Sequence, residues 1–436
     1  MIKLDMTRSK AGRPAMAVKS DFEQAVARVV AAGNCSGCGL CAALSDNVEM
    51  RLDAEGFSRP AWVGGGRPDS ADVRRRFRRS CPGVTIRPPQ TPVVNRHPTL
   101  GLYVSAWSGW ASDDQVRHIG SSAGVLTALS SWLVESGRAT EVVGAAASRT
   151  QPSRTVPVKI RSRADALAAS GSRYAPVGVA AAYDVDSGRT DVAFVGKPCE
   201  AYAVRSATEH RPAADSPFIL SFFCAGVPSQ LATDALVDKL AGGAEVDSVR
   251  YRGNGWPGMF SVRDRQGTVA EVDYEESWGE HLGPHIQPRC KICPDGTGEH
   301  ADIAVGDFWN ADSRGYPQFS ESTGNSAVIA RTRRGHEALM AAQMAGIVEL
   351  HPVKLDDVAA IQPLQTRRRR VVLPRLLGRV LAGGRVPRVR GYRLLRTEIA
   401  TAPSLRQFLG EFIGEAKGAR WRAVRGRRRA AQDDVA

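Results

Sequence analysis

The chain has no apolar run of eighteen residues, and its first twenty residues carry Lys3, Asp5, Arg8, Lys10 and Arg13 with no apolar stretch among them. With no span and no leader to read, the expectation is a cytoplasmic protein. Cysteine is scarce, eight in 436 residues, and bunched in Cys-x2-Cys spacings. That excludes a disulfide framework and suits metal chemistry in a reducing compartment. His281, His285 and His300 have no metal-ligand spacing, and no repeat is visible. The body also lacks net charge. Of the overall +14, Gln365 to Ala436 supplies 19 basic and 5 acidic residues, leaving 40 of each in Met1 to Leu364. The excess belongs to a tail, and no recognition fold for nucleic acid accompanies it, so nucleic acid is unlikely as a partner.

What is present centres on Arg289 to Trp309, RCKICPDGTGEHADIAVGDFW, where Cys290 and Cys293 sit in a Gly-rich turn that runs into an apolar, strand-like segment. Cys199 ends the apolar run DVAFVGKPC and Cys224 ends PFILSFFC, each where a buried strand should stop. Ligands in open α/β sheets collect at the carboxyl ends of strands, so these four thiols can converge on one site. Four convergent thiolates make a metal or cluster cage. A second set opens with CSGCGLC, Cys35, Cys38 and Cys41, the Cys-x2-Cys-x2-Cys loop that wraps three corners of a cubane cluster. In the bacterial ferredoxin pattern the next Cys-Pro falls at 45 and 46, which here are Ser45 and Asp46; the pair appears instead at Cys81-Pro82. Counting back from Cys81 finds Phe77, Arg74 and Ala71 where a second set would need cysteines. One surviving cluster on Cys35, Cys38, Cys41 and Cys81 is therefore expected, with structural zinc as the competing reading.

Hydrophobic periodicity predicts helices at Asp21 to Ala32, after the GSSAG loop at 120–124, at Ser229 to Leu240 and around Glu337 to Ala345. It predicts strands at Thr140 to Ala147, Asp191 to Val195, Phe218 to Phe223, Val246 to Arg252, Ala301 to Val305, Ser326 to Thr332 and Val348 to Val353. This alternation predicts an α/β (α+β) fold with a central sheet. The divisions are a frayed N-terminus at 1–20, a ferredoxin-like domain at 21–84, a proline-rich linker at 85–101, a main domain at 102–364 and a basic amphipathic tail at 365–436. Gly120, Ser121, Ser122 and Gly124 open a helix and offer amides and hydroxyls to a phosphate; the bland reading makes Ser121 or Ser122 an N-cap. The tail holds TRRRR and a helix from Ser404 with Leu405, Phe408, Leu409, Phe412, Ile413 and Ala416 on one face. Packing on the body or a partner is the favoured role, ahead of peripheral contact with the inner membrane face.

Five ordered motifs, GSSAGVLTAL at 120, GSRYAPV at 171, VGKPC at 195, FFCAGVPS at 222 and the 289–309 segment, resemble the beta subunit family of coenzyme F420-reducing hydrogenases and dehydrogenases. The resemblance covers about 102–350 and implies an iron–sulfur flavoprotein oxidoreductase. It implies a 4Fe-4S cluster on Cys199, Cys224, Cys290 and Cys293, with FAD beside it held in part by Gly120, Ser121, Ser122 and Gly124. Arg173, where relatives have Lys, would grip a phosphate bidentately, and Tyr174 is either a flavin contact or a buried aromatic. Lys197 is either a cation that stabilises reduced cofactor or a solvated side chain. Asn254, Gly255 and Trp256 read as a substrate-side loop, with Trp256 covering the flavin ring, whereas Asp302 and Asp307 read as turn caps.

The function so implied is hydride exchange with coenzyme F420 at FAD and relay of single electrons through two 4Fe-4S clusters. The partner would be a ferredoxin or a hydrogenase/dehydrogenase subunit. A second reading keeps FAD and clusters but has a ferredoxin feed electrons to reduce a small organic substrate, without F420, in surface-polysaccharide metabolism. A third class, a non-catalytic electron-transfer or scaffold protein, predicts metal without flavin.

Overall fold

Strand after strand in this chain is apolar at consecutive positions, the mark of a sheet covered on both faces. In the computed structural model, residues 20–433 are described apart from 65, 67, 91–94, 213–214, 311–317, 319–321 and 402–403. The stretch read as a frayed N-terminus lies almost wholly outside the described residues. The main-sheet strands are β1 (Ser105–Ala111), β2 (Glu141–Ala147), β3 (Thr155–Ile160), β4 (Val192–Gly196), β5 (Ile219–Phe222), β6 (Ile303–Asp307), β7 (Ser326–Ala330) and β8 (Val348–Pro352), in spatial order β8-β1-β7-β6-β5-β4-β2-β3. The four strands β2, β4, β5 and β6 are parallel neighbours, flanked on both sides by antiparallel ones. The protein is a mixed α/β fold.

Side chains alternate between two cores with the period of the pleat. Val142, Ala193 and Leu220 face the helices Val125–Glu135 and Arg333–Met344. Val143, Phe194 and Ile219 face the helix Pro198–Ala207 and, beyond it, Phe22, Val26, Leu40 and Phe77 of the N-terminal module. That module is therefore built into the second core. A separate antiparallel sheet, Val246–Arg250, Phe260–Asp264 and Val269–Val272, packs with the helix Gln230–Ala241 on Tyr174, Tyr251 and Trp278.

One expectation is revised. Part of the supposed linker is regular structure: Thr85–Ile86 pairs in parallel with Arg388–Val389, and Asn95–His97 pairs antiparallel with Gly101–Tyr103. The basic run TRRRR is the opening of a helix, Pro363–Leu381, laid against the body. Along it packs the last helix, Leu405–Asp433, so closely that a Cβ on Gly378 would stand 2.2 Å from the Phe412 carbonyl. Arg367 and Arg375 pair with Glu411, and Arg379 and Arg422 with Glu415. Four of the tail's arginines are thus held by two of its own carboxylates. Phe408, Phe412 and Ala416 are half-buried, while Leu405, Leu409 and Ile413 on the adjoining face remain exposed. Among the described residues no helix is long and apolar enough to cross a membrane.

One buried group makes stability depend on pH. Burial pushes the His300 imidazole down to about 3, against the pull of Glu299 and with help from Arg205 and Arg87. Its ring lies edge-on to Tyr202 with centroids 4.8 Å apart. An unfolded histidine titrates near 6.5, so below about pH 6.5 the unfolded chain binds a proton that the folded chain refuses. The sign is a loss of stability as pH falls from about 6.5 towards 3. The melting temperature should decline from pH 7 to pH 5, and His300→Gln should flatten part of that decline. Parallel profiles for the two proteins would contradict a neutral buried His300.

Candidate functional site

The carboxyl ends of the four parallel strands open into one cleft with about 1550 Å³ of empty space, counted out to its mouth. Gly196 ends β4 ahead of Lys197, Phe223 and Cys224 follow β5, and Asp307 ends β6 ahead of Trp309; all line it. Across from them runs the turn Gly120 to Gly124 and the first turn of the following helix, Val125 to Thr127. The turn needs its glycines. Gly124 has φ +73°, and a Cβ there would sit 2.4 Å from the Val116 carbonyl; one on Gly120 would sit 2.5 Å from Gly124. Neither Ser121 nor Ser122 is the N-cap, which is Gly124. The first-turn amides, which have no partners within their own helix, are thereby presented to the cleft.

One carboxylate organises the wall. Asp307 accepts a bidentate pair from Arg252, Nη1 to Oδ2 and Nη2 to Oδ1, both at 2.9 Å. It also accepts the Ser122 hydroxyl at 2.8 Å and the Trp256 indole N–H at 3.2 Å. Arg252 is 2% exposed, donates further to the Ser121 and Pro257 carbonyls, and lies over the rings of Tyr274 and Trp309. Asp307 is therefore the hub that ties the Ser121–Ser122 turn to the sheet, not a turn cap. Asp302 is likewise a buried hub: it accepts from Arg205, Arg334, Thr332 and the Ile219 amide. Burial would raise its pKa, but Arg205 and Arg334 hold it down to about 2.

The sequence-predicted residues Gly120, Ser121, Ser122, Gly124, Arg173, Tyr174 and Lys197 all line the cleft. Arg173, however, has its fork occupied: Nε donates to Thr155, Nη1 to the Val249 carbonyl, and Nη2 to the carbonyls of Pro152 and Arg154. It clips the wall together and has no free pair of N–H groups for a phosphate. Lys197 is buried, which sets aside the solvated reading; Nζ donates to Glu200 Oε1 at 2.6 Å and to the Val177 carbonyl at 2.9 Å. Burial works against its charge, yet Glu200 and the thiols of Cys199 and Cys224 keep its pKa above the ordinary value. Trp256 is not at the surface of the cleft. It packs behind the wall on Trp309, centroids 4.9 Å apart; Trp309, Tyr274 and Trp278 join Tyr174, Phe222 and Phe223 in the aromatic lining.

The eight cysteines are all free thiols and fall into two neighbourhoods. Cys224 feels the charge of Cys290 and Cys293, and Cys199 that of Cys224; Cys41 feels Cys35, Cys38 and Cys81. Burial pushes Cys38 up to about 11 and Cys224 to about 12, and raises Cys41, Cys81, Cys199 and Cys293 as well. Burial and mutual repulsion thus favour neutral thiols, and four of them together would ionise only around a cationic occupant. Among the described residues no three His, Cys, Asp or Glu side chains close around a single ion. What the thiols display is shared location and mutual influence, not a finished coordination shell. The two groups adjoin: Cys38 is among the charges acting on Cys199, the Ala180 amide donates to the Cys38 carbonyl at 3.1 Å, and a Cβ on Gly39 would stand 2.6 Å from the Gly178 carbonyl.

Residues 106–183 match the family model for the N-terminal part of the coenzyme F420 hydrogenase/dehydrogenase beta subunit, and residues 189–356 match that for its C-terminal part. The chain belongs to this family. As a member of the F420 hydrogenase/dehydrogenase beta family it is an oxidoreductase subunit. It is 26% identical over 267 residues to the coenzyme F420 hydrogenase subunit beta of Methanosarcina barkeri, covering 59% of this chain and 84% of that one. A chain in a solved structure of the F420-reducing [NiFe] hydrogenase complex from Methanosarcina barkeri is 25% identical, covers 63% of this chain and 92% of its own, and superposes with a TM-score of 0.49. The N-terminal cysteine module and the helix Pro363–Leu381 lie outside both family matches.

Sequence reasoning missed Arg252, Glu200, Trp309 and the residues from 362 onward. Gln362 donates to the Asp307 carbonyl at 2.6 Å and Gln365 to the Cys224 carbonyl at 3.3 Å, closing the rim of the cleft. A signal for Arg252 was present in YRGNGWPG, an arginine among glycines beside a suspected loop.

Proposed function

We propose that this protein exchanges a hydride with coenzyme F420 at a bound FAD and relays single electrons through two 4Fe-4S clusters to or from a partner protein. The observation that carries the reading is the placement of Cys224, with three more cysteines around it, in the wall of the cleft that also holds the glycine turn and helix N-terminus. The relative named above is a coenzyme F420 hydrogenase subunit, which supplies the identity of the hydride carrier.

The residues fit such cofactors. The amides of the Val125–Thr127 turn, with Ser121 and Ser122, suit the phosphates of a dinucleotide. Tyr174, Tyr274 and Trp309 offer aromatic faces to a planar ring. Lys197 keeps its proton at Nζ against Glu200 and places a buried positive charge where reduced cofactors accumulate negative charge. FAD, when bound, supplies the junction between two-electron hydride chemistry and one-electron steps. Cys199, Cys224, Cys290 and Cys293 would hold the inner cluster, and Cys35, Cys38, Cys41 and Cys81 the outer one.

Beside the outer group lies a groove with about 1060 Å³ of empty space, counted out to its mouth, lined by Asn34, Gly83, Arg28, Arg78, Arg385 and Arg388. Its charge suits an acidic redox partner, whose encounter it would steer.

An anaerobic titration of FAD-reconstituted protein with chemically reduced coenzyme F420 tests the whole reading. Bleaching of flavin and cluster bands, with oxidised F420 appearing in proportion, is expected. Bleaching by dithionite but not by reduced F420 would remove F420 as the donor. Electron transfer from the reduced protein to a small acidic ferredoxin should slow as salt rises and slow further in Arg78→Glu/Arg388→Glu, with the F420 step unchanged.

A further inference from the structure

Two arginines stand beside the inner cysteines without lining the cleft, and both hold buried N–H groups that no protein atom accepts. Arg289, 2% exposed, immediately precedes Cys290 and donates through Nη2 to the carbonyl of Pro82 at 2.8 Å, next to Cys81 of the outer group. Its Nε and Nη1 are buried without a partner. Arg368 comes from the helix Pro363–Leu381, outside both family matches. Its Nη1 donates to the Cys290 carbonyl at 2.9 Å, its Nη2 to the carbonyl of Ala225 beside Cys224, and its Nε is again buried without a partner. It reaches there across Gly296, where a Cβ would stand 2.8 Å from its Cδ and 2.9 Å from its Nε.

An unmet buried donor costs about 1–3 kcal/mol. Three of them around one set of thiols point to an acceptor that side chains do not provide.

We propose that Arg289 and Arg368 are positioning residues that aim N–H groups at the sulfurs of the inner cluster and raise its reduction potential. The proposal rests on the inner cysteines holding a cluster, as argued above. A cluster gains negative charge on reduction, so cations and N–H···S contacts stabilise its reduced form more than its oxidised form. Arg368 acts through the cluster and touches no substrate.

The test is an EPR-monitored redox titration of the full-length protein with both clusters loaded. Arg368→Gln should lower the equilibrium constant for one-electron reduction of the inner centre about tenfold, the loss of one hydrogen bond to a charged group, which corresponds to a fall of about 59 mV. Arg368→Lys, which keeps the charge, should recover part of it, and the outer centre should stay in place. Pulsed EPR of the reduced wild-type inner centre after exchange into D2O should show exchangeable protons coupled to it. This readout remains available if the glutamine variant fails to assemble. An unshifted inner potential in a fully loaded Arg368→Gln protein, or the absence of coupled exchangeable protons in the wild type, would overturn the proposal. If the wild type binds no iron that Cys290→Ser removes, the cluster reading itself is what fails.

Discussion

Cys290→Ser protein, purified without oxygen, should hold about half the iron of the wild type, the complement of one cluster, and should release FAD more readily. Cys290 belongs to a turn whose parts are interlocked: its amide bonds to the Gln287 carbonyl, its carbonyl receives Arg368, and the Cys224 amide bonds to Gly296 beyond Cys293. An inner site left empty would leave the buried N–H groups of Arg289 and Arg368 unmet, so the loss should loosen the cleft wall to which Cys224 belongs. Cys38→Ser should lose a similar share of iron yet keep its flavin, because none of the cysteines at 35, 38, 41 and 81 lines the cleft. Iron and flavin analysis of the two variants side by side decides the matter. Loss of flavin from the Cys38 variant, with retention in the Cys290 variant, would reverse the assignment of inner and outer groups.

Asp307→Ala should be among the most damaging single changes in the cleft. It leaves the buried Arg252 guanidinium uncompensated and deprives Ser122 and Trp256 of their acceptor. Breaking a buried pair from one side costs about 3–5 kcal/mol, which should appear as a clear fall in the urea midpoint together with loss of FAD retention. Asp307→Ala/Arg252→Met removes both charges and should regain part of the stability while still failing to hold FAD, since the Ser121–Ser122 turn has lost its anchor. Equal stability of single variant and wild type would mean that the pair is not isolated from water.

The fold's centre was legible because its strands announce themselves. DVAFV and FILSFF are apolar runs that stop at a thiol, and the Gly-rich segment before ADIAV can only be a turn. β1, SAWSGWA, was invisible because its burial comes from pairing on both sides, not from apolar side chains. The cleft's glycine turn and its cysteines were readable from local pattern. Its polar frame was not, because the partners of Asp307 are far away in sequence: Ser122 and Arg252 each bond to it across more than fifty positions. Arg368 was hidden in another way. TRRRR looks like a solvated charge run, and nothing in it distinguishes Arg368, aimed at Cys290, from the exposed Arg370 two positions on.

The close approach of Gly39 to Gly178 and Ala181 fixes the N-terminal module against the main domain. Backbone meets backbone there with no side chain between, and the same core of apolar residues runs through both parts. The N-terminal module cannot pivot without breaking that core. Electron tunnelling between the groups would therefore proceed over a fixed gap, at a rate set by driving force and insensitive to solvent viscosity, unlike carriers that shuttle a tethered domain between docking sites.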